Sequence, residues 1–291
     1  MRLPNIILFL IPTLIWGSTW YIIKFQIGGT DPLYSVGYRF TLAGIILILY
    51  SKINNLNLSF SPRKHFFIAL QGACLFGINY WLIYMAEEHL TSGLVAVIFS
   101  GLIFMNVFLN SLILKAPIRV NVIIGGAIGL VGIFLIFKDE LSAFNLSDNN
   151  FVAFLMAFGS VTLASAGNIL SAYNQKQKVP VIQTNAFGML YGSMVVIAIA
   201  LFSGKSVSFD MNFSYISSLL YLTVFGSVIA FSTYLSLLGR IGPDKAGYFA
   251  LVIPVIALFI STFLEGYQWT FYGISGLLLI LGGIFMALQK K

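Results

Sequence analysis

The chain has 291 residues, 59% of them hydrophobic and only 9% charged, with a formal net charge of +7. Soluble domains carry about 25% charged residues, so this composition excludes a water-soluble globular fold and makes lipid the solvent. The apolar stretches are continuous rather than alternating with polar residues, which excludes barrel strands and leaves helices.

Crossing about 30 Å of hydrocarbon takes roughly 20 apolar residues, and ten stretches fit. The first, Ile6–Ile23, follows Met1-Arg2. No small-x-small cleavage site closes it; Trp16-Gly17-Ser18-Thr19-Trp20 stands there instead, so it reads as a retained span and not a signal peptide. The second, Leu33–Tyr50, carries Arg39 well inside it. A charge at the bilayer centre costs about 2.5–3.5 kcal/mol on insertion scales, so Arg39 is expected to face the bundle interior or a wet cavity. Two readings stand for it. One is a clamp for an anion or carboxylate in a substrate path. The other is a structural charge that snorkels, or is satisfied by helix-end carbonyls or by Glu87 or Glu88.

The third stretch, Phe66–Ala86, holds the single cysteine, Cys74, read as a small packing residue. One cysteine excludes an internal disulfide and any multi-cysteine metal site. Asn79, Tyr80 and Tyr84 follow; the two tyrosines are four apart and share a face. The fourth stretch, Ser92–Leu114, contains Asn106. The fifth, Val120–Phe137, is lined by Gly125, Gly126, Gly129 and Gly132, and the tenth, Phe271–Leu288, by Gly273, Gly276, Gly282 and Gly283. Small residues let helix backbones approach closely in lipid; intramolecular packing, and hence a monomer, is expected over a dimer.

The sixth, Phe151–Tyr173, carries Ser165 and Asn168, with Asn174 just past it. A buried amide needs a partner, so interhelical hydrogen bonds are the default, and Ser165 and Asn168 are the better cavity candidates. The seventh is Thr184–Phe202. The eighth, Tyr215–Leu238, presents Ser227, Phe231 and Tyr234 at helical spacing. The ninth, Ala246–Leu264, begins with Tyr248 and contains Pro254, which removes one helix hydrogen bond and kinks the helix; gating and a static bend are both open.

A spacing of 150 residues relates Tyr84 to Tyr234, Ala96 to Ala246, Gly126 to Gly276 and Gly132 to Gly282. Phe76-Gly77 pairs with Phe225-Gly226 at one residue less. The repeat unit holds five spans, an odd number, so the second copy enters the membrane from the opposite side. The expected fold is therefore an all-α membrane protein of ten transmembrane helices, in two inverted five-helix repeats over residues 1–145 and 146–291. Inverted repeats place substrate near the midplane between the halves.

With the N-terminus inside, twelve of the Lys and Arg residues fall on the cytoplasmic side and three, Lys24, Lys138 and Lys205, outside. That bias is the positive-inside signature and sets both termini in the cytoplasm. The basic residues are thus a topology device, and nucleic-acid binding is excluded. His65 and His89 lie at opposite membrane edges and form no metal site; no span has an acid near its centre. No cofactor is expected.

The chain resembles the EamA family of the drug/metabolite transporter superfamily over its whole length. The residues that carry this are Trp16-Gly17-Ser18-Thr19-Trp20 with Lys24, Arg39-Phe40, and Asn79-Tyr80 with Tyr84 and Ala86. In the second half they are Phe225–Phe231, Gly239-Arg240-Ile241-Gly242, Ala246, Pro254, Glu265 and Gly282-Gly283. Phe104 stands where that family usually has a proline in helix four, and Lys115 where it has a glutamate, so the resemblance does not extend to a symmetric pair of gating prolines. It implies ten helices with both termini inside and movement of small metabolites, often amino-acid export. It also implies that helices five and ten stand away from the central path.

The expectation is a transporter in a bacterial plasma (inner) membrane, working by alternating access on small polar or amphipathic metabolites. Trp16, Arg39, Asn79, Tyr80, Tyr84, Asn168, Tyr234 and Tyr248 are the candidate substrate contacts. Arg39 favours a carboxylate and the aromatics an apolar side chain or a cationic amine, demands that amino acids meet. The alternatives are a sugar or nucleotide-sugar carrier, and a polytopic enzyme acting on lipid-linked substrates. Such an enzyme needs acids, histidines or metal ligands gathered at one face, which this sequence does not offer.

Overall fold

A computed structural model describes residues 3–144, 148–264 and 268–288. The expected junction of the halves at 145/146, the terminal charges Arg2, Lys290 and Lys291, and Glu265 lie outside the described residues. Among those described, every regular element is helical.

Among the described residues, eight helical segments are long and apolar enough to cross a membrane: Asn5–Gln26, Pro32–Ile53, Pro62–Glu87, Leu94–Leu114, Asn149–Lys176, Val181–Phe202, Phe213–Ile241 and Pro243–Ile260. Two shorter apolar helices, Val120–Ile136 and Phe271–Ala287, complete the set. In chain order the ten are α1 to α10, so the short pair are α5 and α10. At 1.5 Å per residue, their 17 residues rise about 25 Å.

Backbone chemistry, rather than hydropathy, sets the ends. Pro32 and Pro62 occupy first-turn positions, where the missing N–H costs nothing and the fixed φ favours the helix. α3 therefore starts four residues before the expected Phe66 and takes Arg63, Lys64 and His65 into its first turn. Asp31 caps α2 by accepting the Leu33 N–H at 3.0 Å. Gly101 interrupts α4, and α9 opens with a single turn, Pro243–Ala246, before Phe249. α3 and α8 each contain a π turn, Ala73–Ile78 and Leu222–Ile229. Hydropathy gave no sign of either.

The burial pattern is that of a protein in lipid. Large apolar side chains such as Phe108, Phe158, Met194, Leu278 and Phe285 point outward. Arg39, Gln71, Asn79, Asn106, Asn168, Asn174 and Asn185 are buried. Each amide needs an interior partner, as where Asn174 donates to the Gln71 amide oxygen at 2.9 Å.

α2 lies along α7, and α5 along α10. α1 packs on α8 and α9, whereas α6 packs on α3 and α4. Glycines permit the closest approaches: a Cβ on Gly125 or Gly132 would overlap the Gly283 or Gly276 carbonyl, and one on Gly72 the Gly188 carbonyl. The glycine faces of α5 and α10 thus meet each other within one chain, as expected.

Candidate functional site

α1, α3, α4, α6, α8 and α9 surround a central cavity of about 90 Å³. Its walls are mainly apolar, with six aromatic rings among them. The Trp16 ring stands edge-on to Phe231 and Tyr234, at centroid distances of 4.9 and 5.3 Å, and 5.0 Å from Phe249. The Trp16 indole N–H donates to the Gly226 carbonyl at 3.0 Å. That carbonyl belongs to the π turn of α8, where the helix ladder is irregular. The turn therefore anchors the largest ring of the wall.

Three polar side chains interrupt the aromatics: Thr19, Asn79 and Asn168. Thr19 donates to the Trp16 carbonyl at 2.8 Å, and Ser160 donates to the Asn79 amide oxygen at 3.1 Å. Asn168 donates to the Asn106 amide oxygen at 3.4 Å, and Asn106 donates to the Pro243 carbonyl at 3.0 Å. The Tyr234 hydroxyl and the Asn168 amide oxygen are both left without a hydrogen-bond partner. One helical turn further along α6 and α8, at Ala172 and Leu238, a second hollow of about 420 Å³ begins. The Arg119–Asp244 ion pair, at 3.5 Å, borders it.

Of the expected contacts, Trp16, Asn79, Tyr80, Asn168 and Tyr234 line the cavity, and so does Pro254. Three do not. Arg39 stands behind Tyr80, its guanidinium 4.8 Å from the Tyr80 ring centre and 5.1 Å from that of Phe40. It is 1% exposed, its Nε donates to Ser227 Oγ at 2.8 Å, and its Nη1 has no hydrogen-bond partner. No ion pair joins it to Glu87 or Glu88 among the described residues, so the expected acidic partners are not those it uses. Tyr84 shares the face of Tyr80 but is no part of the wall, which Ile83 joins instead; it is buried beside Arg39. Tyr248 is turned away: its hydroxyl donates to the Val122 carbonyl of α5 at 2.6 Å, inside a separate apolar cluster.

Phe99, Phe231 and Phe249 were not among the expected contacts, yet all three line the cavity. Phe99 and Phe249 are related by the same 150-residue spacing that matched Ala96 to Ala246. That spacing is the signal by which the pair could have been found.

The model of the EamA-like transporter family matches residues 3–138 and 151–289. The chain belongs to the EamA-like transporter family. It is 29% identical over 255 residues to the uncharacterized inner membrane transporter YedA of Escherichia coli strain K12, covering 87% of this chain and 80% of the relative. It is 26% identical to the uncharacterized transporter YoaV of Bacillus subtilis, covering 94% and 93%. Protein PagO of Salmonella typhimurium is 24% identical, with 98% and 93% covered. A solved crystal structure aligns with a TM-score of 0.81 at 14% identity, over 98% of this chain and 96% of its own, a likeness of fold alone. The family makes this chain a multi-pass membrane transporter.

Proposed function

We propose that the chain exports small amphipathic metabolites, amino acids foremost, from the cytoplasm across a bacterial inner membrane, by alternating access and without chemical conversion of the substrate. The central cavity carries this reading. Trp16, Asn79, Tyr80 and Phe99 reach it from the first five helices and Asn168, Phe231, Tyr234 and Phe249 from the second five. Two inverted repeats, 1–145 and 146–291, account for the packing: α1 on α8 and α9 is answered by α6 on α3 and α4. The two π turns, at Phe76-Gly77 and Phe225-Gly226, fall at related positions. A site shared by two such halves is accessible to each side in turn when they rock.

The aromatic walls suit an apolar side chain, and their faces an ammonium group. Arg39, one ring behind the wall, offers the guanidinium for a carboxylate. The outward direction rests on the family resemblance. A nucleotide-sugar asks for more room and more polar lining than this cavity has, so a carrier of that kind is the second reading. Counterflow of radiolabelled amino acids, sugars and nucleotide-sugars in vesicles reconstituted with the protein tests the proposal. Accumulation of amino acids alone supports it; nucleotide-sugar uptake without amino-acid uptake replaces it.

Two further outcomes are expected. The proposed orientation places residues 52–65 and 174–179 in the cytoplasm and 139–150 outside. Single cysteines in place of Leu58, Leu146 and Gln177, in a Cys74→Ala background, would then label unequally with an impermeant thiol reagent on intact cells. Leu146→Cys is expected to label strongly and the other two not; strong labelling at either of those inverts the topology. Pro254 lines the cavity from within α9. Pro254→Ala restores the missing N–H and straightens the helix, and is expected to slow transport by roughly threefold or more with little change in melting temperature. Unchanged rates at equal expression would make Pro254 a static bend.

A further inference from the structure

We propose that Asn168 and Tyr234 form a hydrogen-bonding subsite at one pole of the central cavity, for an uncharged ligand group that both donates and accepts, such as a hydroxyl. The proposal rests on reading this cavity as the substrate site. Both residues line the cavity and each is 1% exposed. Both carry an unpartnered atom, the Tyr234 hydroxyl and the Asn168 amide oxygen.

The orientation of the amides follows from a fixed backbone group. The Pro243 carbonyl only accepts, so Asn106 must present its NH₂ there, at 3.0 Å. Its oxygen then faces Asn168, which presents its own NH₂, at 3.4 Å. The Asn168 oxygen is thereby left over as an acceptor, and the Tyr234 phenol is left over as a donor on the same cavity wall. A buried polar group without a partner is costly, and a pair of opposite kind on one cavity wall is a ready-made receptor. A carboxylate would satisfy the phenol and leave the amide oxygen facing negative charge. An ammonium would satisfy the amide oxygen and leave the phenol proton unpaired. A hydroxyl or primary amide satisfies both. The aromatic walls beside them select an apolar body attached to that group.

Phenol and toluene are probes of matched size that differ in the hydroxyl, and anisole, one methyl larger, keeps the acceptor without the donor. Their binding is measured by ligand-observed magnetic resonance on the full chain in lipid nanodiscs, with empty nanodiscs subtracted to remove partitioning. Phenol is expected to bind about three- to tenfold more tightly than toluene, with anisole closer to toluene. Tyr234→Phe and Asn168→Leu should each abolish that advantage while toluene affinity stays within about twofold, which also reports an intact cavity. Toluene and phenol binding equally in the wild type, or an advantage that survives both variants, overturns the subsite and leaves the cavity reading standing. Failure of all three probes to bind overturns the cavity reading and the subsite with it.

Discussion

Replacing Gly283 with alanine is expected to lower the melting temperature sharply, while the same change at its neighbour Gly282 leaves it unchanged or slightly raised. A Cβ at Gly283 would collide with the Gly125 carbonyl oxygen and come within 3.0 Å of the Gly129 nitrogen. These are backbone atoms of a facing helix, so relief requires α5 and α10 to separate along their length. Overpacking of that kind costs about 1–3 kcal/mol. Nothing lies within 4 Å of a Cβ at Gly282. There alanine contributes only its better helix propensity, about 0.5–1 kcal/mol. Thermal unfolding of the two purified variants, side by side, checks the prediction. Equal shifts would mean that the two helices do not meet on their glycine faces.

Arg39→Lys is expected to reduce transport of a carboxylate substrate by about ten- to a hundredfold, the range for a lost charge-assisted bond together with a desolvated cation–π contact. The guanidinium is planar, and it stacks over both Phe40 and Tyr80 while bonding Ser227. An ammonium is a compact point charge that cannot hold all three contacts. Its unpartnered Nη1 lies one ring behind the cavity, so a substrate carboxylate reaches it only if Tyr80 rotates aside. If that group meets the substrate carboxylate, transport of the matching amide falls far less than that of the acid. Parallel losses for acid and amide would instead make Arg39 a structural charge that fixes the Tyr80 wall. The measurement is initial transport rate for each ligand in wild type and variant, alongside melting temperature.

The outline of the fold was legible because lipid imposes one demand on every span, and each stretch answers it by itself. Glycine faces were legible for the same reason: the Gly125–Gly132 stripe had to meet a second backbone, and it meets that of α10. The site was only partly legible. Sharing a helix face gave Tyr80 and Tyr84 equal standing, but only Tyr80 reaches the cavity, while Tyr84 is taken up beside the buried Arg39. Tyr248 and Phe249 are adjacent, so the rotation of α9 after its opening turn decides between them, and that rotation depends on the break at Gly247. The π turns shift register by one residue, and no composition signal marks them. Arg39 announced itself as a buried charge, whereas its partner Ser227 is an ordinary hydroxyl, 188 positions away.

The pairing of α5 with α10 also fixes an order of assembly. Gly125 and Gly283 are 158 positions apart. At synthesis rates of about 5–20 residues per second, on the order of 10–30 s separate their emergence from the ribosome. Throughout that interval α5 rests in the bilayer with its glycine groove facing lipid, open to any other helix with a small-residue stripe. A nascent chain halted before residue 271 would carry that groove uncovered, a mark by which the cell's quality-control machinery could tell an unfinished copy from a finished one.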